Sequence, residues 1–218
     1  MVKNVTILAF LLLILSPNVW ADTATKQDNA YFSMAEQAMT MPKNFNFIKL
    51  RDLYTKTSFF RPYTTNPKRD LLKITSDVEK DKDSSQKEFQ KYIKKHFARF
   101  DTHTNGASVI ANTPLKNDGK IHEWAGVNIF KTIMESGDGK TLKTAYKVIN
   151  IQEEYLVLNG LEQHVGIKKQ GRSTQNHNGQ VYDVWNAIIT KNKKPIQIYF
   201  NITIPFSKMD QSLSGHKK

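Results

Sequence analysis

The stretch Met134–Ile149, MESGDGKTLKTAYKVI, marks where the chain changes its period. Before it, apolar residues recur at three- and four-residue steps; after it, they alternate. Its GDGKT core invites comparison with a phosphate-binding loop. Such a loop needs G-x-x-x-x-G-K-[ST] between a strand and a helix, so that backbone N–H groups cradle the phosphates. Gly139-Lys140-Thr141 supplies the end of that pattern, but Met134 stands where its first glycine belongs, and the flanks are reversed, helix before and strand after. The string of oxygen ligands that a calcium loop requires does not follow Asp138 either. What remains is a helix C-terminus. Gly137 closes the helix in the left-handed conformation, and Asp138-Gly139 turns the chain into a strand at Ala145.

Upstream, the segment KIHEWAGVNIFKTIMES is apolar nearly all round, the mark of a buried helix. A KNDG turn joins it to THTNGASVIANTPL, a helix weakened by Gly106. Before these, SSQKEFQKYIKKHFARF repeats Phe89, Tyr92, Ile93, His96, Phe97 and Phe100 on one face, with Ser85 and Glu88 placed as a capping box. An earlier helix carries Phe47, Leu50 and Tyr54, widened by Ile48 and Leu53, and should end before Pro62. Between the two, a turn leads into a helix bearing Leu71, Leu72, Ile74 and Val78.

Downstream, TAYKVINI reads as a strand and QEEYLVLNG as a short helix closed by Gly160. The segments HVGIKKQGRSTQ, QVYDVWNAIIT and KPIQIYFNITI then read as three strands. Asn178-Gly179 joins the first two as a favoured hairpin turn. The expectation is an α+β fold in one domain, 44–206: helical hairpins of tetratricopeptide-like geometry over 44–136, packed on an antiparallel β-sheet over 144–206. A polar tail, 207–218, follows.

The first residues have a basic start at Lys3, an apolar run from Val5 to Leu15, Pro17, and compact residues at Val19 and Ala21. That layout predicts a secretory signal peptide over 1–21, cleaved after Ala21, so that the chain is exported to the periplasm or the extracellular space. A flexible leader and a short helix, 22–43, come next. No later segment is apolar enough to cross a membrane, and the mature chain should be a monomer. Cysteine is absent, so no disulfide supports an exported domain and stability must come from a core. The 32 basic against 20 acidic side chains leave a net charge of +12. Lysines and acids alternate, however, as in SDVEKDKDSSQKEFQKYIKK, so no specific nucleic-acid binding is expected.

The residues LRDLYTKTSFFRPY, SGDGKTLKTAYKVINIQEEYLVL, GQVYDVW and IYFNI together resemble the bacterial domain-of-unknown-function family numbered 4919, found in exported proteins. The likeness covers roughly Asn44 to Ile204. It points to Leu50, Arg51, Tyr54, Pro62, Tyr63, His103, His122, Gly137 to Lys140, Glu153 to Tyr155, Tyr182, Asp183, Tyr199 and Phe200. It implies no activity, since none is assigned to the family. Two departures stand out: Phe60 where a tyrosine is expected, and Gly106 in a helix normally richer in strong formers.

Candidate functional residues follow from their chemistry. His103 and His122 come from opposite arms of one helical hairpin, either as core histidines bonded to each other or the backbone, as metal ligands, or as acid–base groups. Arg51, beside Tyr54, can clamp a carboxylate of Asp183, Glu154 or an outside ligand. Glu153 and Glu154 point about 100° apart on a helix, which suits the helix dipole better than a shared substrate. Tyr182, Trp185, Tyr199 and Phe200 offer an aromatic platform if they face solvent. Tyr63 completes the set. Without a cysteine or a G-x-S-x-G motif, no nucleophile is marked. The expected role is binding, with an unknown protein or envelope polymer as partner and no metal or other cofactor. Metal-assisted hydrolysis through His103 and His122 is one alternative; electrostatic attachment to anionic lipid or glycan is another.

Overall fold

A computed structural model describes residues 18–63, 66–76, 78–115 and 119–214. The expected signal segment therefore lies outside the described residues as far as residue 17. Among the described residues, six helices come first: α1 (Asn18–Ala38), α2 (Phe47–Thr55), α3 (Pro67–Thr75), α4 (Lys82–Lys95), α5 (Phe100–Ile110) and α6 (Gly119–Met134). After them come β1 (Tyr146–Lys147), α7 (Ile151–Val165), β2 (Ile167–His177), β3 (Gln180–Ile189), β4 (Lys194–Asn201) and α8 (Thr203–Ser214). The α+β class holds, with helices gathered mainly before a C-terminal sheet.

Several local readings change. The flexible leader and short helix expected over 22–43 are instead one helix, α1, already formed at Asn18 and running to Ala38. The cap of α4 is Asp81, whose side chain accepts from the Ser84 N–H, so the Ser85 and Glu88 box lies inside the helix. Ile48 and Leu72, expected on apolar faces, are exposed, while Phe47, Leu50, Tyr54 and Leu71 are buried. The helix assigned to end at Gly160 continues to Val165 and closes at Gly166, whose left-handed φ of 72° fits a glycine cap. The expected polar tail over 207–218 lies in α8 as far as Ser214, and its last four residues lie outside the described residues. Pro205 sits in the first helical turn, where a missing N–H costs nothing.

The sheet is mixed, with order β1-β4-β3-β2. The β2–β3 and β3–β4 pairs are antiparallel, but the two residues of β1 pair parallel with Phe200 and Asn201, correcting the all-antiparallel expectation. Among the helices, α5 pairs with α6, and α3 packs on α4 and α5. α2 also reaches α6, so the array closes round a shared core where a stacked-repeat superhelix would keep such helices apart. Tyr31, Leu50, Tyr54, Phe89, Phe97 and Ile129 fill this core with essentially no exposure, and it runs on to Phe200 of the sheet. Among the described residues, no helix is long and apolar enough to cross a membrane.

The opening stretch is structural. Asp138 accepts from the Lys140 N–H, and the left-handed residue is Gly139 (φ 67°) instead of the expected Gly137. Gly137 is needed for space, because a Cβ there would lie 2.2 Å from the Thr144 carbonyl oxygen. The loop folds back on itself through Gly139 N–H to Thr144 O (2.8 Å), and the Gly139 carbonyl accepts from the Tyr199 N–H (2.9 Å), covering part of the β4 edge.

Candidate functional site

The predicted site residues fall into three groups in different places. The first group ties the core together. Arg51 donates from Nη1 and Nη2 to the two carboxylate oxygens of Glu153, at 2.6 and 2.9 Å, both side chains buried. Its partner is thus neither Asp183 nor Glu154. The pair joins α2 to the first turn of α7, where Asn150 caps the Glu153 N–H and Glu153 Oε2 accepts in return from the Ile149 N–H. Tyr54 bonds through its hydroxyl to His96 Nδ1 at 3.0 Å, and burial raises its pKa to about 12.

His103 and His122 meet, Nδ1 to Nδ1, at 3.1 Å. His103 Nε2 lies 2.7 Å from the Phe97 carbonyl oxygen, which can only accept, so the proton of His103 sits on Nε2 and its bare Nδ1 accepts from His122. Burial pushes both rings down, His103 to about 3 and His122 to about 4. Two neutral imidazoles sharing one hydrogen bond form the core pair among the three roles open to them. Gly106 makes that possible: a Cβ there would sit 2.7 Å from His122 Cε1. The glycine that weakens α5 is the seat of the neighbouring ring.

The second group lies between α7 and the inner face of the sheet. Glu154 is fully buried, and its Oε2 accepts from Trp185 Nε1 at 3.0 Å. Its Oε1 has no hydrogen-bond donor. Asp183 adjoins it, held by Thr174 Oγ1 (2.5 Å) and, more loosely, by Arg172 Nη1 (3.4 Å). Burial raises the Glu154 pKa first and the Asp183 charge adds to it, while the Trp185 bond and Arg172 oppose the rise. A proton on Glu154 Oε1 would give the otherwise orphaned oxygen a donor role, in keeping with the raised pKa of this buried carboxyl. Half-exposed Tyr63 lies near enough for both acids to raise its hydroxyl pKa, after burial. Arg172 covers the Trp185 ring at 5.6 Å. Arg172 and Thr174 escaped sequence reasoning, although the two-residue turn at Asn178-Gly179 sets them opposite Trp185 and Asp183.

The third group faces outward. Strand alternation sends Trp185 and Phe200 to the inner face and Tyr182 and Tyr199 to the outer one, dividing the expected aromatic platform in two. Two clefts, of about 610 and 870 Å³, adjoin across the outer face and share Lys140 and Tyr199. The larger is bordered by Lys140, Lys143, Lys147 and His177, and no acidic side chain lines either one. Side chains on the floors of the two clefts hold one another. Gln180 Oε1 accepts from Tyr182 and Asn201, while Gln197 accepts from the Tyr199 hydroxyl and donates to Asn186. Among the described residues, no group of three or more His, Asp or Glu side chains is arranged to hold a metal ion.

No curated protein and no solved structure matches the chain. A family model does, over residues 23–211, nearly the whole described fold. The chain therefore belongs to the family described as a domain of unknown function, DUF4919.

Proposed function

We propose that the chain is an exported binding module that holds an anionic envelope polymer along the outer face of its sheet. The observation that carries this reading is the pair of adjoining clefts sharing Lys140 and Tyr199, which makes one elongated groove without an acid in its lining. An elongated groove suits a linear ligand better than a compact one, and the lysine border suits negative charge. The signal-like first residues support export. Metal-assisted hydrolysis through His103 and His122 loses ground, because both rings are buried and spend their Nδ1 atoms on each other.

The test is co-sedimentation of the purified protein with cell-wall sacculi, comparing the parent with Tyr199→Ala and Lys140→Glu. Both positions lie at the junction of the clefts, so each change should lower the bound fraction several-fold while leaving the melting curve in place. Equal retention of parent and variants would remove the outer face as the binding surface.

A further inference from the structure

The outer groove combines two chemistries that rarely matter together unless the ligand has both charge and hydroxyls. Its border is cationic. Lys140, Lys143 and Lys147 are exposed, and only Lys140 has an ion-pair partner among the described residues, Asp138 at 3.1 Å. Lys143 and Lys147 thus present positive charge to whatever enters.

The floor carries a row of amides and phenols, with Ala187, Ile188, Pro195 and Ile196 lining the smaller cleft beside them. Hydrogen bonds within and between β3 and β4 fix their orientation in advance: Gln180 with Tyr182 on its own strand and Asn201 across, Gln197 with Tyr199 on its own strand and Asn186 across. Each amide NH₂ carries two donors and each phenol oxygen keeps acceptor capacity, so the row still offers bonds outward after its internal ones are made. Pre-ordered side chains lose less entropy on binding, and the half-buried Tyr199 ring gives a sugar ring a flat surface to rest on.

A bilayer surface is a poor match for this geometry. Its headgroups form a broad sheet, which a convex basic patch or an amphipathic helix meets better than a groove with its polar row at the bottom. A flexible chain of acidic sugars can lie along the groove, its charges toward the lysines and its hydroxyls toward the amides. Resting on the reading of the outer face as the binding surface, we infer that its ligand is an acidic polysaccharide, recognised by Lys143 and Lys147 through charge and by Asn201, Gln197 and Tyr199 through hydroxyl contacts.

The experiment measures affinity for a soluble polyuronate, for a neutral dextran and for phosphatidylglycerol vesicles. The proteins are the parent, Lys143→Gln/Lys147→Gln, and Asn201→Ala/Gln197→Ala, at fixed low salt, with a thermal melt to show that each is folded. The proposal expects polyuronate binding that falls about tenfold in the lysine variant and at least several-fold in the amide variant, with dextran far weaker. Vesicle binding as tight as polyuronate binding and untouched by the amide changes would overturn the polysaccharide while keeping the face as an electrostatic surface. Dextran binding equal to polyuronate binding would overturn the acidic requirement alone. Polyuronate binding unchanged in both variants would overturn the polysaccharide assignment and the outer-face reading together. No polyuronate binding by the parent would overturn the ligand class, and the sacculus assay with Tyr199→Ala would still decide the face.

Discussion

Replacing Glu154 with glutamine should flatten the alkaline side of the stability profile. In the folded chain Glu154 is buried against Trp185 and Asp183, and its pKa is pushed up to about 8, burial being the largest cause. In the unfolded chain it returns to the ordinary value of 4.5. A carboxyl raised on folding stabilises fully below its unfolded value, and that contribution is lost as pH climbs toward the folded one. Through that window the folded state holds one proton that the unfolded state does not, so stability falls by about 1.4 kcal/mol per pH unit, roughly 5 kcal/mol in all. Glutamine keeps an oxygen for Trp185 and offers an N–H to Asp183, without a proton to lose. Urea titrations of both proteins between about pH 5 and pH 8 isolate the effect, because every other titrating group cancels in the difference. Glu154→Gln should gain on the parent steadily as pH rises. A difference constant within about 0.5 kcal/mol across that range would refute the raised Glu154 carboxyl.

Acid should unfold the protein through its buried histidines. His96, His103 and His122 are held low by burial, at about 3, 3 and 4. Each contributes stability that is complete above its unfolded value and lost as pH falls toward the folded one, roughly 2 kcal/mol apiece by about pH 5. A far-ultraviolet circular dichroism titration should show cooperative loss of structure near pH 4 to 5, and full stability at about pH 4 would contradict the neutral pair. Gly106→Ala should destabilise by about 1 to 2 kcal/mol, against the gain of up to about 1 kcal/mol that the exchange brings in an open helix, because the new methyl meets the His122 ring. Denaturant titration decides it, and a net gain would mean that His122 has room to move.

The helix-to-sheet switch and the β2–β3 hairpin were legible because both rest on local signals. Asn178 and Gly179 both take positive φ, as the turn requires, and the turn alone sets Thr174 opposite Asp183. What the sequence could not show depends on rotation and on partners distant in the chain. Glu153 and Glu154 are adjacent, and only the roll of α7 against α2 decides which of them receives Arg51. The parallel direction of β1 depends on β4, which arrives some fifty residues later in the chain. Gly160 reads as a stop, yet the helix continues through it, with Phe130 packed near its Cα. Of the candidate site residues, Glu154, Asp183 and Tyr63 gather in one place. Tyr199 and the buried Tyr182 are the candidates in the groove, and the lysines beside them come from a loop and from β1, whose docking on β4 has no local signature.

The clamp between Arg51 and Glu153 spans 102 positions, and this sets an order on how the chain comes together. As the polypeptide is made, the arginine arrives long before its carboxylate. Until α7 is complete, burying α2 would strand a cation in an apolar interior, a penalty of several kcal/mol. Helices α1 to α6 can collapse and exchange contacts, but their packing cannot be finished. The last third of the chain therefore acts as the fastener, supplying the carboxylate that lets Arg51 be buried.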